Sequence, residues 1–453
     1  MSWEKVSESG VRWERPMDGI EGYFTFMASL TAGLCEGREH YTLCSVLKLE
    51  TGPGDITPAL KQAWKQVRYE QPQIATTVDG MKKVYEVPDE RALEEWLSST
   101  FIVSSASSFD ELYPSVKPIK QATLYYLPKS SEIALRAHHH VIDGIGMLLF
   151  WHTYLEALKS PAKEIKFGDE TARLAPVMEE VLPKDEHPSE ELDKARAKEA
   201  YERFMGWAGS IPGIGPVSQV GAVPSGACQN TELVFAADTT SSLIAACKAK
   251  GFTVGAAVHA AYIKAIEKHA DPNSKLAEYV TATQFNLRPY LKEPFSSSKY
   301  AASVYYTPLP YKHALPASYS DLANSLTEYY KTSFKGKPEM LKIKGHFTQV
   351  LCGAVQTDEF KAGPVPKDAL VSSLGLVEQY VGREYGSEIK VKDLKVGVDV
   401  VAGMSFLFFY TFQDKLRLVY GFNDGFEKPE DIQTYLNETK TILEKELLGQ
   451  ETG

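Results

Sequence analysis

The chain has 453 residues, 43% hydrophobic and 24% charged, a globular composition long enough for two domains of ordinary size. The 49 basic and 59 acidic side chains leave a net charge of −10, with a pI of about 5.6, which argues against broad binding to nucleic acid or to anionic membrane surfaces. Five widely spaced cysteines without a CxxC pair (Cys35, Cys44, Cys228, Cys247 and Cys352) exclude a disulfide framework or zinc knuckle and fit a reducing compartment.

Strand-like and helix-like segments alternate along the chain. The charged start, MSWEKVSESGVRWERP, has no apolar core and is no secretory signal. A mixed apolar strand is expected over 41–49, then a helix from Thr57 to about Tyr69 with threonine as N-cap and Pro58 at its first position. Residues 83–87, 120–127 and 133–137 read as strands and 146–158 as a helix. A charged helix over 184–208 ends in the punctuator Gly209-Ser210-Ile211-Pro212-Gly213-Ile214-Gly215-Pro216. The division expected is therefore a first lobe at 1–208, a linker at 209–230 and a second lobe at 231–453. The second lobe opens with a strand at 231–236. Two N-capped helices follow, 238–250 and 253–269, with Gly251 as the C-cap between them. Further strands are expected at 279–285, 302–307, 369–373, 403–412 and 416–422, and a closing helix at 429–448. The most apolar run, 404–412, is far short of a membrane span. There is no internal repeat. A soluble, cytoplasmic protein of α/β (α+β) class is expected.

The run His138-His139-His140-Val141-Ile142-Asp143-Gly144 lies between a strand and a helix. That context sets a histidine at a strand end beside a turn, where it can enter a cleft. An imidazole titrates near neutral pH and is the usual general base. His140 points to the opposite face if the strand continues. Three adjacent histidines in a strand cannot all face one ion, and no second cluster of metal-ligating residues is evident, so no metal is expected.

The spacing His138-His139-x-x-x-Asp143-Gly144 resembles the HHxxxDG signature of the chloramphenicol-acetyltransferase-like superfamily, which includes condensation domains, BAHD enzymes and fungal toxin acetyltransferases. Only His139 stands four before Asp143. The resemblance implies two lobes in a V, each a mostly antiparallel sheet flanked by helices, with an active-site tunnel between them. It implies His139 as general base in a ternary complex without an acyl-enzyme, and His138 as a shaping residue. It implies further that Asp143 turns away from the histidine and pairs with an arginine, for which Arg288 in Asn286-Leu287-Arg288-Pro289 is the candidate. Gly144 is expected to permit a turn or a close backbone approach. The helix start behind it favours negative charge. Ser372-Ser373-Leu374-Gly375 is similar to the family's serine-x-leucine-glycine segment, which makes Ser372, Ser373 and Gly375 weak substrate-binding candidates. Ser405, in the apolar run, is another. Residues 397–403, Gly-Val-Asp-Val-Val-Ala-Gly, lack the DFGWG of BAHD enzymes, which moves the reading towards condensation-like and fungal acetyltransferases.

The resemblance implies an acyltransferase that moves an acyl, above all an acetyl, group from acyl-CoA to a hydroxyl of a hydrophobic natural product. Acetyl-CoA enters as cosubstrate and no cofactor stays bound. The expected partners are the acceptor and acyl-CoA, with a monomeric chain. Two alternatives stand beside it: a stand-alone condensation-type enzyme that takes its acyl group from an acyl-carrier protein to form an ester or amide, and a non-catalytic binding member of the fold.

Overall fold

A computed structural model describes residues 2–6, 11–272 and 277–450. The chain divides into two compact units. Unit 1 comprises 1–185, 286–306 and 377–396, and unit 2 comprises 186–285, 307–376 and 397–453. The break falls at Asp185 in a polar, largely exposed stretch rather than in the expected linker at 209–230. The glycine- and proline-rich run is instead built into unit 2. The Ile214 N–H donates to the Glu278 carbonyl, the Asp271 N–H donates to the Gly215 carbonyl, and the Ile214 side chain joins the core. Glycine marked a chain that must pass close to its neighbours there, since a Cβ on Gly213 would lie 3.0 Å from the Val280 Cβ.

Unit 1 carries a six-stranded sheet in the order Glu384–Tyr385, Ile389–Val398, Leu43–Thr51, Glu132–Ala137, Thr123–Leu127, Phe101–Val103. Leu43–Thr51 and Thr123–Leu127 each pair antiparallel with Glu132–Ala137, and Phe101–Val103 lies parallel to Thr123–Leu127 at one edge. Glu4–Lys5, Arg12–Pro16, Lys82–Glu86 and Thr77–Asp79 form a second, antiparallel sheet. Helix Gly144–Lys159 is buried on most of its surface and packs against helix Thr57–Glu70. Its large aromatic residues bury apolar rings and still satisfy their polar ends: the Trp151 Nε1 donates to the Ser45 Oγ at 3.0 Å and the Tyr154 hydroxyl to the Leu60 carbonyl at 3.0 Å. Thr57 is not the N-cap of its helix. It takes helical geometry itself, behind Ile56, and its N–H donates to the Asp55 carboxylate at 2.9 Å.

Unit 2 carries a four-stranded sheet in the order Leu370–Leu376, Phe406–Phe412, Lys415–Asn423, Cys228–Val234, parallel at the first pairing and antiparallel at the other two. Strands Glu278–Asn286 and Tyr306–Ala314 pair separately. Helix Val254–Lys268 is the core element. Its alanines at 256, 257, 260, 261 and 265 are buried, and small side chains let helices Tyr319–Thr332 and Pro429–Leu448 approach it closely. Thr253 caps it by accepting from the Ala256 N–H, as expected. Asp238 does not cap helix Ala237–Lys250. It lies in the first turn, after the N-cap Ala236, where a carboxylate still favours the positive helix end. Gly251 closes that helix at φ +78°. Helices Gly19–Leu30, Glu90–Thr100 and Pro338–Ala354 were not foreseen from the sequence.

Candidate active site

Strand Glu132–Ala137 ends one residue before the histidines, which form a turn closed by the Val141 N–H donating to the His138 carbonyl at 2.9 Å. The strand does not continue through them, so alternation of faces does not place His140. Asp143 then caps helix Gly144–Lys159, its Oδ1 accepting from the Gly146 N–H at 2.7 Å. A buried strand, a three-residue turn and a capped helix thus fix both ends of the motif.

Asp143 and Arg288, each 2% exposed, meet within unit 1. The Arg288 Nη1 lies 2.8 Å from both carboxylate oxygens. Asp143 also accepts from the Tyr305 N–H at 2.7 Å, and Arg288 donates through Nη2 to the Ser303 carbonyl at 3.2 Å and hydroxyl at 3.0 Å. A buried charge pair needs its remaining lone pairs and protons satisfied, and here backbone groups and the Ser303 hydroxyl engage both carboxylate oxygens and both terminal guanidinium nitrogens, leaving only the Arg288 Nε without a partner. The strand expected over 302–307 begins only at Tyr306. Before it, the Ser303 carbonyl and the Tyr305 N–H are engaged by the ion pair, the Ala302 N–H by the Gln71 side chain and the Tyr305 carbonyl by the Leu287 N–H.

The close approach expected at Gly144 occurs at Gly146. Gly144 is an ordinary first helical residue, whereas a Cβ on Gly146 would lie 2.4 Å from the Ala301 carbonyl oxygen and 2.9 Å from the Arg288 Nη2. The amide that faces negative charge at this helix start, that of Gly146, is already bonded to Asp143.

The His139 ring is half-buried. Its Nδ1 is shielded from water and reaches no other residue at hydrogen-bond geometry. Burial lowers the imidazole pKa to about 4, outweighing the opposing pull of the ring's own backbone carbonyl and of Asp143. The ring is therefore neutral at pH 7, with Nε2 as its accessible nitrogen. Phe24 lies face to face on it, centroids 3.8 Å apart and planes within 5°. The Tyr306 ring stands 5.6 Å away. Tyr41 meets Phe24 edge-on at 6.0 Å. Burial raises the phenol pKa of Tyr41 and Tyr306, so both stay protonated.

His138 is held from both sides. Its Nε2 lies 2.9 Å from the Ile119 carbonyl and its Nδ1 lies 3.0 Å from a Glu39 carboxylate oxygen, at an angle poor for a hydrogen bond. His140 is buried, and desolvation drives its pKa well below the usual value. Its carbonyl accepts from the Lys83 ammonium. Lys83 also binds Glu21, which Arg15 grips with both terminal nitrogens at 2.7 and 2.8 Å.

Ser372, Ser373, Gly375 and Ser405 all lie in unit 2. Ser372 is 9% exposed, and Ser373 and Gly375 are exposed on the same strand. Gly375 has φ +68° and stands beside a register shift in the pairing with Phe406–Phe412, a backbone state that favours glycine. Ser405 is buried, and its hydroxyl is engaged with Glu427 at 2.6 Å. Among the described residues no group of three or more His, Cys, Asp or Glu side chains is placed to hold a metal ion. No helix among them is long and apolar enough to cross a membrane. Sequence reasoning missed Phe24, Tyr306, Lys83 and Gly146. The first three carry no local signal. Gly146 does, as a second glycine one turn inside a helix start.

No family model matches the chain. Over 99% of its length it is similar to the O-acetyltransferase pigM of Monascus ruber, 27% identical over 453 residues and covering 87% of that protein. Among solved structures, the trichothecene 15-O-acetyltransferase TRI3 of Fusarium sporotrichioides superposes with a TM-score of 0.82 at 17% identity, covering 97% of this chain and 96% of that one. The first condensation domain of the CDA synthetase superposes with a TM-score of 0.65 at 16% identity, covering 95% and 96%. Likeness at such identities speaks to the fold alone.

Proposed function

We propose that this chain, which has the chloramphenicol-acetyltransferase-like fold shared with condensation domains, is an O-acyltransferase that moves an acetyl group from acetyl-CoA to a hydroxyl of a hydrophobic natural product. The observation that carries the proposal is His139, neutral at pH 7, with one nitrogen buried and the other accessible, on a turn fixed by the Asp143–Arg288 pair. Similarity to an O-acetyltransferase over nearly the whole chain supports the same reading. The rings of Phe24 and Tyr306 beside His139 favour an apolar acceptor.

A neutral alcohol is a poor nucleophile. The His139 Nε2 takes the hydroxyl proton while the oxygen bonds to the thioester carbonyl carbon. The tetrahedral intermediate collapses, the C–S bond breaks, and the departing CoA thiolate takes the proton back from the imidazolium. Products are the ester and CoA thiol, and no acyl group passes through the protein. General-base assistance of this kind is worth ~10²–10⁴ in rate. Asp143 does not orient the ring as a triad acid would, because its oxygens are committed to Arg288 and to two backbone amides. It keeps the turn in shape and adds a favourable charge to the imidazolium as it forms.

The test supplies labelled acetyl-CoA and an extract of fungal secondary metabolites to wild type and to His139→Ala, both first shown to be folded. Label entering one product with wild type alone supports the proposal, and mass identifies the acceptor. Equal product with both proteins removes His139 from the mechanism. Product formed only when the acyl group is presented on a carrier protein replaces CoA as donor.

A further inference from the structure

We infer that Phe24 is a positioning residue for His139, its ring face fixing the plane of the imidazole so that Nε2 stays presented. The inference deepens the acyltransferase reading and takes its kinetic consequence from it, but its geometry stands apart.

The stacked pair is nearly parallel at 3.8 Å, and Phe24 is 4% exposed. Rotation of the imidazole about its Cβ–Cγ bond would drive the ring edge into the Phe24 face. Apart from the ring's own backbone carbonyl, no hydrogen bond holds Nδ1, and the Phe24 face supplies the contact that keeps the ring in the plane where that carbonyl and Nδ1 meet. A flat aromatic face also suits the task electrostatically. The π cloud attracts the positive charge that appears on the imidazole during proton transfer, while the hydrocarbon keeps water away.

Phe24 is itself held in register with the histidine turn. Its helix, Gly19–Leu30, begins at Asp18, which accepts from the Ile20 and Glu21 N–H groups. Glu21, three residues before Phe24, binds the buried Arg15 and Lys83, and the Lys83 ammonium also donates to the His140 carbonyl. One buried cation thus joins the helix bearing Phe24 to the turn bearing His139.

Phe24→Leu fills similar apolar space without a flat face, and Phe24→Trp restores one. The full chain, labelled with ¹⁵N at histidine and assigned with His139→Ala, is observed by NMR at pH 7, and acetyl transfer is measured alongside. Wild type is expected to show one neutral tautomer of His139 with Nε2 unprotonated. Phe24→Leu is expected to show averaged nitrogen shifts and a kcat lower by about 10- to 100-fold, with the KM for acetyl-CoA changed less than about twofold, as for a misplaced reacting group. Phe24→Trp is expected to recover the wild-type tautomer and most of kcat. If Phe24→Leu does not fold, Phe24→Met takes its place. A wild-type tautomer signature and kcat in the variant without a flat face overturn the inference and leave Phe24 as filler. Absence of acetyl transfer in wild type defeats the acyltransferase reading, while the tautomer comparison still decides the role of Phe24.

Discussion

A carboxylate sealed from water needs an opposite charge, and Asp143 finds it 145 residues further along the chain in Arg288. Removing one partner leaves the other charge buried without compensation. Arg288→Met is expected to lower unfolding free energy by about 3–5 kcal/mol in a urea titration, and to reduce acetyl transfer at temperatures where it remains folded. Gly146 makes the same region intolerant of bulk. Gly146→Ala places a Cβ 2.4 Å from a backbone oxygen and 2.9 Å from the Arg288 guanidinium, so a loss of about 1–3 kcal/mol is expected from overpacking. A midpoint in urea equal to that of wild type would show that the turn yields freely. His139 itself is expected to hold its neutral form well into the acid range. In kcat/KM against pH, with folding verified at each point, the acid limb should fall near pH 4 rather than near 6.5, because burial depresses the folded pKa to about 4.

At the scale of elements, helix Gly19–Leu30 matters most to the site, and its start signal lies in plain view. Asp18 and Glu21 form a capping box, in which Asp18 accepts from the Glu21 N–H and the Glu21 carboxylate reaches back to the Asp18 N–H. Glycines at 19 and 22 inside the helix weaken its propensity and hide the pattern. Asp18 Oδ2 also accepts from the Met178 N–H at 3.3 Å. Asp18→Ala is therefore expected to cost about 2 kcal/mol, the upper end for a lost cap, and to loosen the stacking of Phe24 on His139. Unchanged thermal unfolding would mean the Glu21 ion pairs hold the helix without its cap. Where propensity and caps agree, as at Thr253 and Gly251, the sequence located helix ends to within a residue or two.

Across the whole molecule, buried titratable groups set how stability follows pH. Burial lowers His40 and His259 to about 3 and His139 to about 4, and lowers His140 strongly. Unfolding returns each to near 6.5. Between about pH 4 and 6.5 the unfolded chain binds more protons than the native one at these sites, so their contribution to stability declines as pH falls through that window. Two carboxyls act the other way. Burial raises Glu427 to about 7 and Asp368 well above the usual range. The native state keeps those protons when the unfolded chain has lost them, so their contribution declines as pH rises from about 4.5. Four histidines against two carboxyls make the net slope positive between about pH 4.5 and 6.5. The urea midpoint is expected to rise over that interval. Glu427→Gln mimics the protonated acid, and its midpoint should gain on that of wild type between pH 5 and pH 7. A gain that is the same at both values would mean that Glu427 titrates normally.

The sequence by itself determined what depends on neighbours along the chain. The motif at 138–144 stands between a strand and a helix as read, and the closing helix has the bounds expected, Pro429–Leu448. The Asp143–Arg288 contact was legible only because the motif carried a resemblance, since nothing local to either residue points to the other. Tertiary structure decided the rest. It kept residues 301–305 out of a strand by engaging their backbone groups with the ion pair, with the Gln71 side chain and with the Leu287 N–H. It set the division between units at Asp185 and returned 286–306 and 377–396 to unit 1. It stacked Phe24 on His139, and by burying that imidazole it set the ring's proton affinity. Periodicity and caps are local properties that a sequence carries openly. Desolvation and ring stacking come from residues far apart in the chain, and only the fold brings them together.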